Sequence, residues 1–111
     1  MNRPVVLTPA AEGDVARAQD HYEPREAGLG NRFVEQVRAT LTRVSQNPFQ
    51  YQVIPDSFGS RRAPVRQFPW SVWFQVLPDE SVVIGCLAHR QDPALARRRA
   101  LRSVTPPGEL S

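Results

Sequence analysis

The chain has 111 residues, of which 41% are hydrophobic, and a formal net charge of +3. A chain of this length buries roughly two-thirds of its unfolded surface, enough for one ordinary domain without staples. Its single cysteine, Cys86, has no intrachain partner, which excludes a disulfide framework and fits a reducing compartment, the cytoplasm by default; no segment supplies the ~20 apolar residues of a membrane span, and the start MNRPVVLTPAAEGD lacks a signal-peptide core.

Pro4 to Leu7 is a short apolar run suited to a first strand at a sheet edge, where its proline is tolerated. Thr8 followed by Pro9 opens a helix, with an N-cap oxygen and then a proline at the first helical position. Glu12 and Asp14 suit the positive end of that helix. Ala11, Val15, Ala18 and Tyr22 recur at helical spacing, and Pro24 predicts an end near Tyr22 or Glu23. After a turn in PREAGLGN, Leu29, Phe33, Val37, Leu41 and Val44 step by three or four residues, the clearest helical stripe in the chain. Asn47 and Pro48 stop it. Two amphipathic helices in succession form a hairpin with one apolar side, which needs a sheet to cover.

Phe49 to Ile54 reads as a strand, and Pro55 to Ser60 as a loop. Arg61 to Phe68 is extended by pattern, with Pro64 placing it at an edge. Alternation puts Arg62, Arg66 and Phe68 on one face and Arg61, Ala63, Val65 and Gln67 on the other. Trp70 to Leu77 and Ser81 to Ala88 follow, the second with Val82, Ile84, Cys86 and Ala88 on one side. The short connections make the last three strands an antiparallel meander. Asp92 and Pro93 can open a final basic helix, Ala94 to Leu101, and the Pro- and Gly-containing end beyond it ends regular structure. The expected architecture is α+β, in the order β-α-α-β-β-β with a short C-terminal helix. One domain spans residues 1–103, with a frayed tail over 104–111.

All fourteen cationic side chains are arginines, and the excess charge sits in the second half: residues 1–50 are neutral, and residues 51–111 carry eight Arg against five acids. Such patches suit an acidic partner, although a solvated charged face is as common an explanation for any one of them. No Gly-rich phosphate loop or G-x-S-x-G elbow is present. Cys86 and His89, three apart on a strand, point to opposite faces and cannot share a zinc ion. Cys86 lies among apolar neighbours and reads as a small core hydrophobe rather than a nucleophile. What remains is an arginine and histidine constellation. Arg62 and Arg66 could clamp a phosphate, and His89 could move a proton, while a histidine at a strand end is more often a structural hydrogen bonder. Trp70 and Trp73 could stack on bases, and at least one is expected to pack instead.

The run from Arg66 through FPW to SVWFQV, the turn with Asp79, the apolar strand after it and AHRQDP resemble, in their order and spacing, the ParE/RelE superfamily of toxins of type II toxin–antitoxin systems. The ParE branch is the more similar. LTPAAEGDVARAQDHY and LGNRFVEQVRATLTRVSQNP are similar to that family's first two helices, so the resemblance spans residues 3–95. It implies a helical hairpin packed on a curved antiparallel sheet, and an antitoxin whose disordered segment folds across the toxin. ParE-type toxins poison DNA gyrase, whereas RelE-type relatives cleave mRNA on the ribosome with basic, histidine or tyrosine residues on the sheet. By position, Arg62, Arg66 and His89 fall near those working groups. This chain departs from the nuclease pattern, however: it has no lysine, Arg90 and Gln91 stand where a tyrosine would follow the histidine, and no glutamate base precedes Arg61.

The resulting expectation is a cytoplasmic bacterial toxin of the plasmid-stabilization kind that binds gyrase, without cofactor, metal or membrane. Arg61, Arg62, Arg66, Trp73, His89 and Arg90 would contact the target or the antitoxin. The alternative is an endoribonuclease acting on RNA through Arg62, Arg66 and His89. A third reading is an inactive toxin-fold protein kept for antitoxin binding or autoregulation.

Overall fold

The computed structural model of the chain describes residues 2–90 and 93–104. The elements are β1 (Val5–Leu7), α1 (Pro9–Tyr22), α2 (Leu29–Gln46), a single 3-10 turn (Pro48–Gln50), β2 (Arg61–Pro64), β3 (Trp70–Val76), β4 (Ser81–Ala88) and α3 (Pro93–Val104). They form an α+β fold around one four-stranded sheet in the order β1-β4-β3-β2. The expected meander of β2, β3 and β4 is antiparallel, but β1 joins β4 in parallel, so the sheet is mixed rather than wholly antiparallel. The reason is the long excursion through α1 and α2, which lets the chain return to the sheet in the direction it left.

Each helix of the hairpin begins and ends for a local reason. Thr8 Oγ1 accepts the Ala11 amide at 3.2 Å, and Pro9 needs no partner for the N–H it lacks. The start of α2 has a different device. Gly28 turns the chain at φ +86°, and the Glu23 carboxylate, at the end of α1, accepts the amides of Gly28 at 2.9 Å and Gly30 at 3.0 Å. One acid thus closes the hairpin and satisfies two orphan donors of the following helix. Phe33, Val37 and Val44 of the stripe are buried, and complete burial of Phe33 stabilises by about 3 kcal/mol. They meet Ala11 and Ala18 of α1, Ala63 and Val65, Val72 and Phe74 of β3, and Val83 and Cys86 of β4. Phe33 also makes edge contacts with Phe68 and Trp70, at centroid distances of 5.2 and 5.5 Å.

Three expected strand features change. Residues 49–54 do not form a strand; Pro48 starts the 3-10 turn instead, and only Val53 bridges to Arg61. The turn completes α2, because Gln50 Nε2 donates to the carbonyls of Arg43 and Asn47 at its C-terminal end. The extended run from Arg61 ends at Pro64, and residues 66–69 turn with Gln67 at φ +72°. That turn swings Phe68 onto the core against Tyr22 and Phe33 and leaves Arg66 outside, so the two do not share a face as alternation predicts. In β4, a bulge sets Ile84 and Gly85 against Trp73 alone, which reverses the alternation and puts Val83 with Cys86, rather than Val82, on the hairpin side.

The second face of the sheet is covered in part by α3, which packs on β4 and buries Ala100; Gln75 Nε2 reaches the Ala100 carbonyl at 3.4 Å. Asp92, the expected cap of α3, and the tail over residues 105–111 lie outside the described residues.

Candidate functional site

The six side chains expected at a binding surface do not form one cluster. Arg61 turns to the hairpin side of β2. Its guanidinium donates to the Tyr51 carbonyl at 2.5 Å and lies 5.2 Å from the centre of the Phe49 ring, which Arg3 approaches at 5.6 Å. Arg3 itself reaches the carbonyls of Leu77 and Pro78. Phe49, 58% exposed, is therefore held beside two cations that tie down the start of the chain, the segment after α2 and the β3–β4 turn. Arg61 is part of this structural arrangement.

Arg62 faces the other way. In the register it is opposite Trp73, and Pro64 is opposite Ser71, so Arg62, Trp73 and Ser71 share the sheet face turned away from the hairpin. Leu87 is opposite Ser71 in β4, and His89 follows two residues later. His89 Nε2 lies 2.9 Å from Ser71 Oγ, and its backbone N–H donates to the Pro69 carbonyl at 2.9 Å. Arg62, Trp73 and His89 are thus brought to one face. Arg62 and His89 are exposed, and Trp73 is half-buried. Arg66 lies exposed in the β2–β3 turn, whose Pro69 carbonyl the His89 amide reaches, and Arg90 follows β4 on the side of α1. No side-chain hydrogen bond or ion pair engages Arg62, Arg66 or Arg90 among the described residues, so their charges are available to a partner. Cys86, by contrast, is buried on the hairpin side, away from His89; burial first, and the Asp14 carboxylate second, push its thiol from 9.0 up to about 12.

This set can bind an anionic or polar surface by charge-assisted hydrogen bonds around an indole. The one imidazole on the face has its Nε2 bonded to a buried hydroxyl, and no carboxylate or phenol of the described residues lies in hydrogen-bond contact with it.

Two features of this region were not foreseen. β1 pairs with β4 only as far as Val83, which leaves the edge of β4 beyond it open to α1 and α3. Asp14 closes that edge by accepting the Cys86 amide at 3.0 Å, and Arg99 donates to the Ile84 carbonyl at 3.1 Å. The two side chains are joined at 2.8 Å, so helices on either side of the sheet meet through one ion pair. Asp14 is accordingly a buried cap of the sheet edge rather than a first-turn dipole partner. A signal was present, since Asp14 falls three residues after Ala11 and four before Ala18, on the apolar stripe itself. The second feature is a cleft of about 560 Å3 beside the C-terminal end of α1, lined by His21, Tyr22, Arg25, Trp70 and Arg90 among others.

Comparison with known proteins agrees with this architecture. The family described as the ParE toxin of the type II toxin–antitoxin system parDE matches residues 5–93. Among solved structures, a chain from the chromosomal ParDE toxin–antitoxin system of P. aeruginosa superposes with a TM-score of 0.64 at 20% identity, covering 78% of this chain and 95% of that one. No curated protein matches the chain by sequence.

Proposed function

We propose that this chain, which belongs to the ParE toxin family of type II toxin–antitoxin systems, arrests growth in the bacterial cytoplasm by binding DNA gyrase and stalling it on DNA until a cognate antitoxin neutralises it. The observation that carries the reading is the sheet face turned away from the hairpin. It offers the uncompensated charge of Arg62 next to Trp73 in the register, with His89 held by Ser71, and it has the makings of a contact surface. Arg66 and Arg90 extend the positive field at the end of the sheet where β2 and β4 finish and β3 begins.

The antitoxin would compete for this charge with acidic groups and lay an amphipathic segment beside the hairpin. Cleavage of RNA by Arg62, Arg66 and His89 is less well supported, because among the described residues His89 has no carboxylate or phenol in hydrogen-bond contact. An inactive toxin-fold protein would leave growth unaffected on induction.

A supercoiling assay with purified gyrase and relaxed plasmid separates these readings. The expected result is inhibition of supercoiling with accumulation of cleaved DNA, reversed by the antitoxin. Unimpeded supercoiling at large toxin excess, together with cut transcripts in intoxicated cells, would replace gyrase poisoning by the nuclease.

A further inference from the structure

The cleft between the end of α1 and the end of β4 has a chemical character unlike the rest of the surface. Arg25, just beyond α1, and Arg90, just beyond β4, both line it, and both guanidiniums are exposed without an ion pair among the described residues. His21 adds a third nitrogen donor, and no carboxylate of the described residues takes part in the lining. Of the acids beside Arg25 in sequence, Glu23 caps α2 and Glu26 pairs with Arg32. Among the described residues the lining therefore carries positive charge without a carboxylate beside it.

Its remaining wall is formed by Tyr22 and Trp70 together with Pro69 and Ala88. Trp70 Nε1 donates to the Tyr22 hydroxyl at 2.8 Å, Tyr22 packs at 5.0 Å on Phe68 and 5.5 Å on Phe33, and His21 stands edge-on to Tyr22 at 5.2 Å. The indole N–H already donates to the Tyr22 oxygen, so these rings offer a ligand apolar surface and, from Tyr22, one remaining O–H donor. A peptide strand is poorly served here, since the open edge of β4 is already satisfied by Asp14 at Cys86 and by Arg99 at Ile84. A flat ring carrying a phosphate meets both halves of the cleft: guanidiniums take the phosphate, and aromatic side chains take the ring. The volume, about 560 Å3, is within the range that small ligands and cofactors occupy.

We propose that this cleft binds a nucleoside monophosphate unit, with Arg25 and Arg90 on the phosphate and Trp70 beside the base. The unit comes either from a free nucleotide or from the phosphorylated end of a strand. The site is separate from the Arg62–Trp73 face and does not rest on gyrase as the target.

Trp70 fluorescence in a Trp73→Phe background reports it directly. AMP should quench saturably, with adenosine and inorganic phosphate each weaker by about tenfold or more. The exposed double change Arg25→Gln/Arg90→Gln should raise the AMP Kd by about tenfold or more. A 5′-phosphorylated oligonucleotide that displaces AMP identifies a strand end as the source, and one that does not identifies the free nucleotide. Absence of saturable quenching, phosphate binding as tightly as AMP, or quenching unchanged in the double variant would each overturn the proposal. So would loss of antitoxin binding in the double variant without any AMP effect, which would assign the cleft to a peptide.

Discussion

Asp14 keeps only 7% of its side chain exposed and accepts hydrogen bonds from the Cys86 amide, Arg99 and Arg17. Its two ionic partners differ in weight. Arg99 is 16% exposed and ties α3 to the sheet edge, whereas Arg17 is 70% exposed and screened by water. Asp14→Ala leaves the buried Cys86 amide without its acceptor and removes the carboxylate that neutralises the largely buried Arg99, and should lower stability by about 3 kcal/mol in a denaturant titration. Arg17→Ala should change it by less than about 0.5 kcal/mol. Cys86 belongs to the same buried patch. Its thiol, raised from 9.0 to about 12, should resist alkylation in the native protein and react on unfolding. The sign of the pH effect follows from the unfolded thiol losing its proton first. This contribution is fully present below pH 9.0 and is lost as pH rises through about 12, so unfolding free energy measured across that window should fall.

At the scale of elements, the α1–α2 hairpin depends on how closely two backbones approach. A Cβ at Gly30 would lie 2.8 Å from the Gln19 carbonyl oxygen and 3.0 Å from Glu23 Oε1. Gly30→Ala gains about 1 kcal/mol of helix propensity. The clash with fixed backbone and with the capping carboxylate outweighs it, and the net loss should be about 1–2 kcal/mol, read as a lower thermal midpoint. The periodicity of α2 identified Phe33, Val37 and Val44 as core, because a helix shows its buried face every three or four residues. It could not identify Gly30, whose burial is set by the neighbouring helix and by Glu23 reaching across from it. Nor could alternation find the β4 bulge, since Ile84 is extra only relative to β3.

The molecule as a whole divides its arginines between architecture and presentation. Arg3, Arg32, Arg43, Arg61 and Arg99 hold backbone, acids or hydroxyls. Arg62, Arg66 and Arg90 face outward without such partners among the described residues. Charge reversal at Arg62 should therefore leave stability within about 0.5 kcal/mol while weakening the proposed antitoxin and gyrase complexes. Binding isotherms at two ionic strengths test this, because the wild-type advantage over Arg62→Glu should shrink as salt screens exposed charge. No helix among the described residues is long and apolar enough to cross a membrane.

The sequence by itself determined the order of elements, the helix boundaries at Thr8–Pro9 and Asn47–Pro48, and the burial of Cys86. These follow from caps, prolines and apolar period, which act over a few residues. It also placed Arg62, Trp73 and His89 among the residues of interest, but could not separate them from Arg61. Only the tertiary structure decided that β1 enters the sheet in parallel, that Arg61 is engaged by Tyr51 and Phe49, and that His21, Arg25, Trp70 and Arg90 line one cleft. Each of these depends on groups far apart in the chain, whose positions are set when the hairpin packs on the sheet.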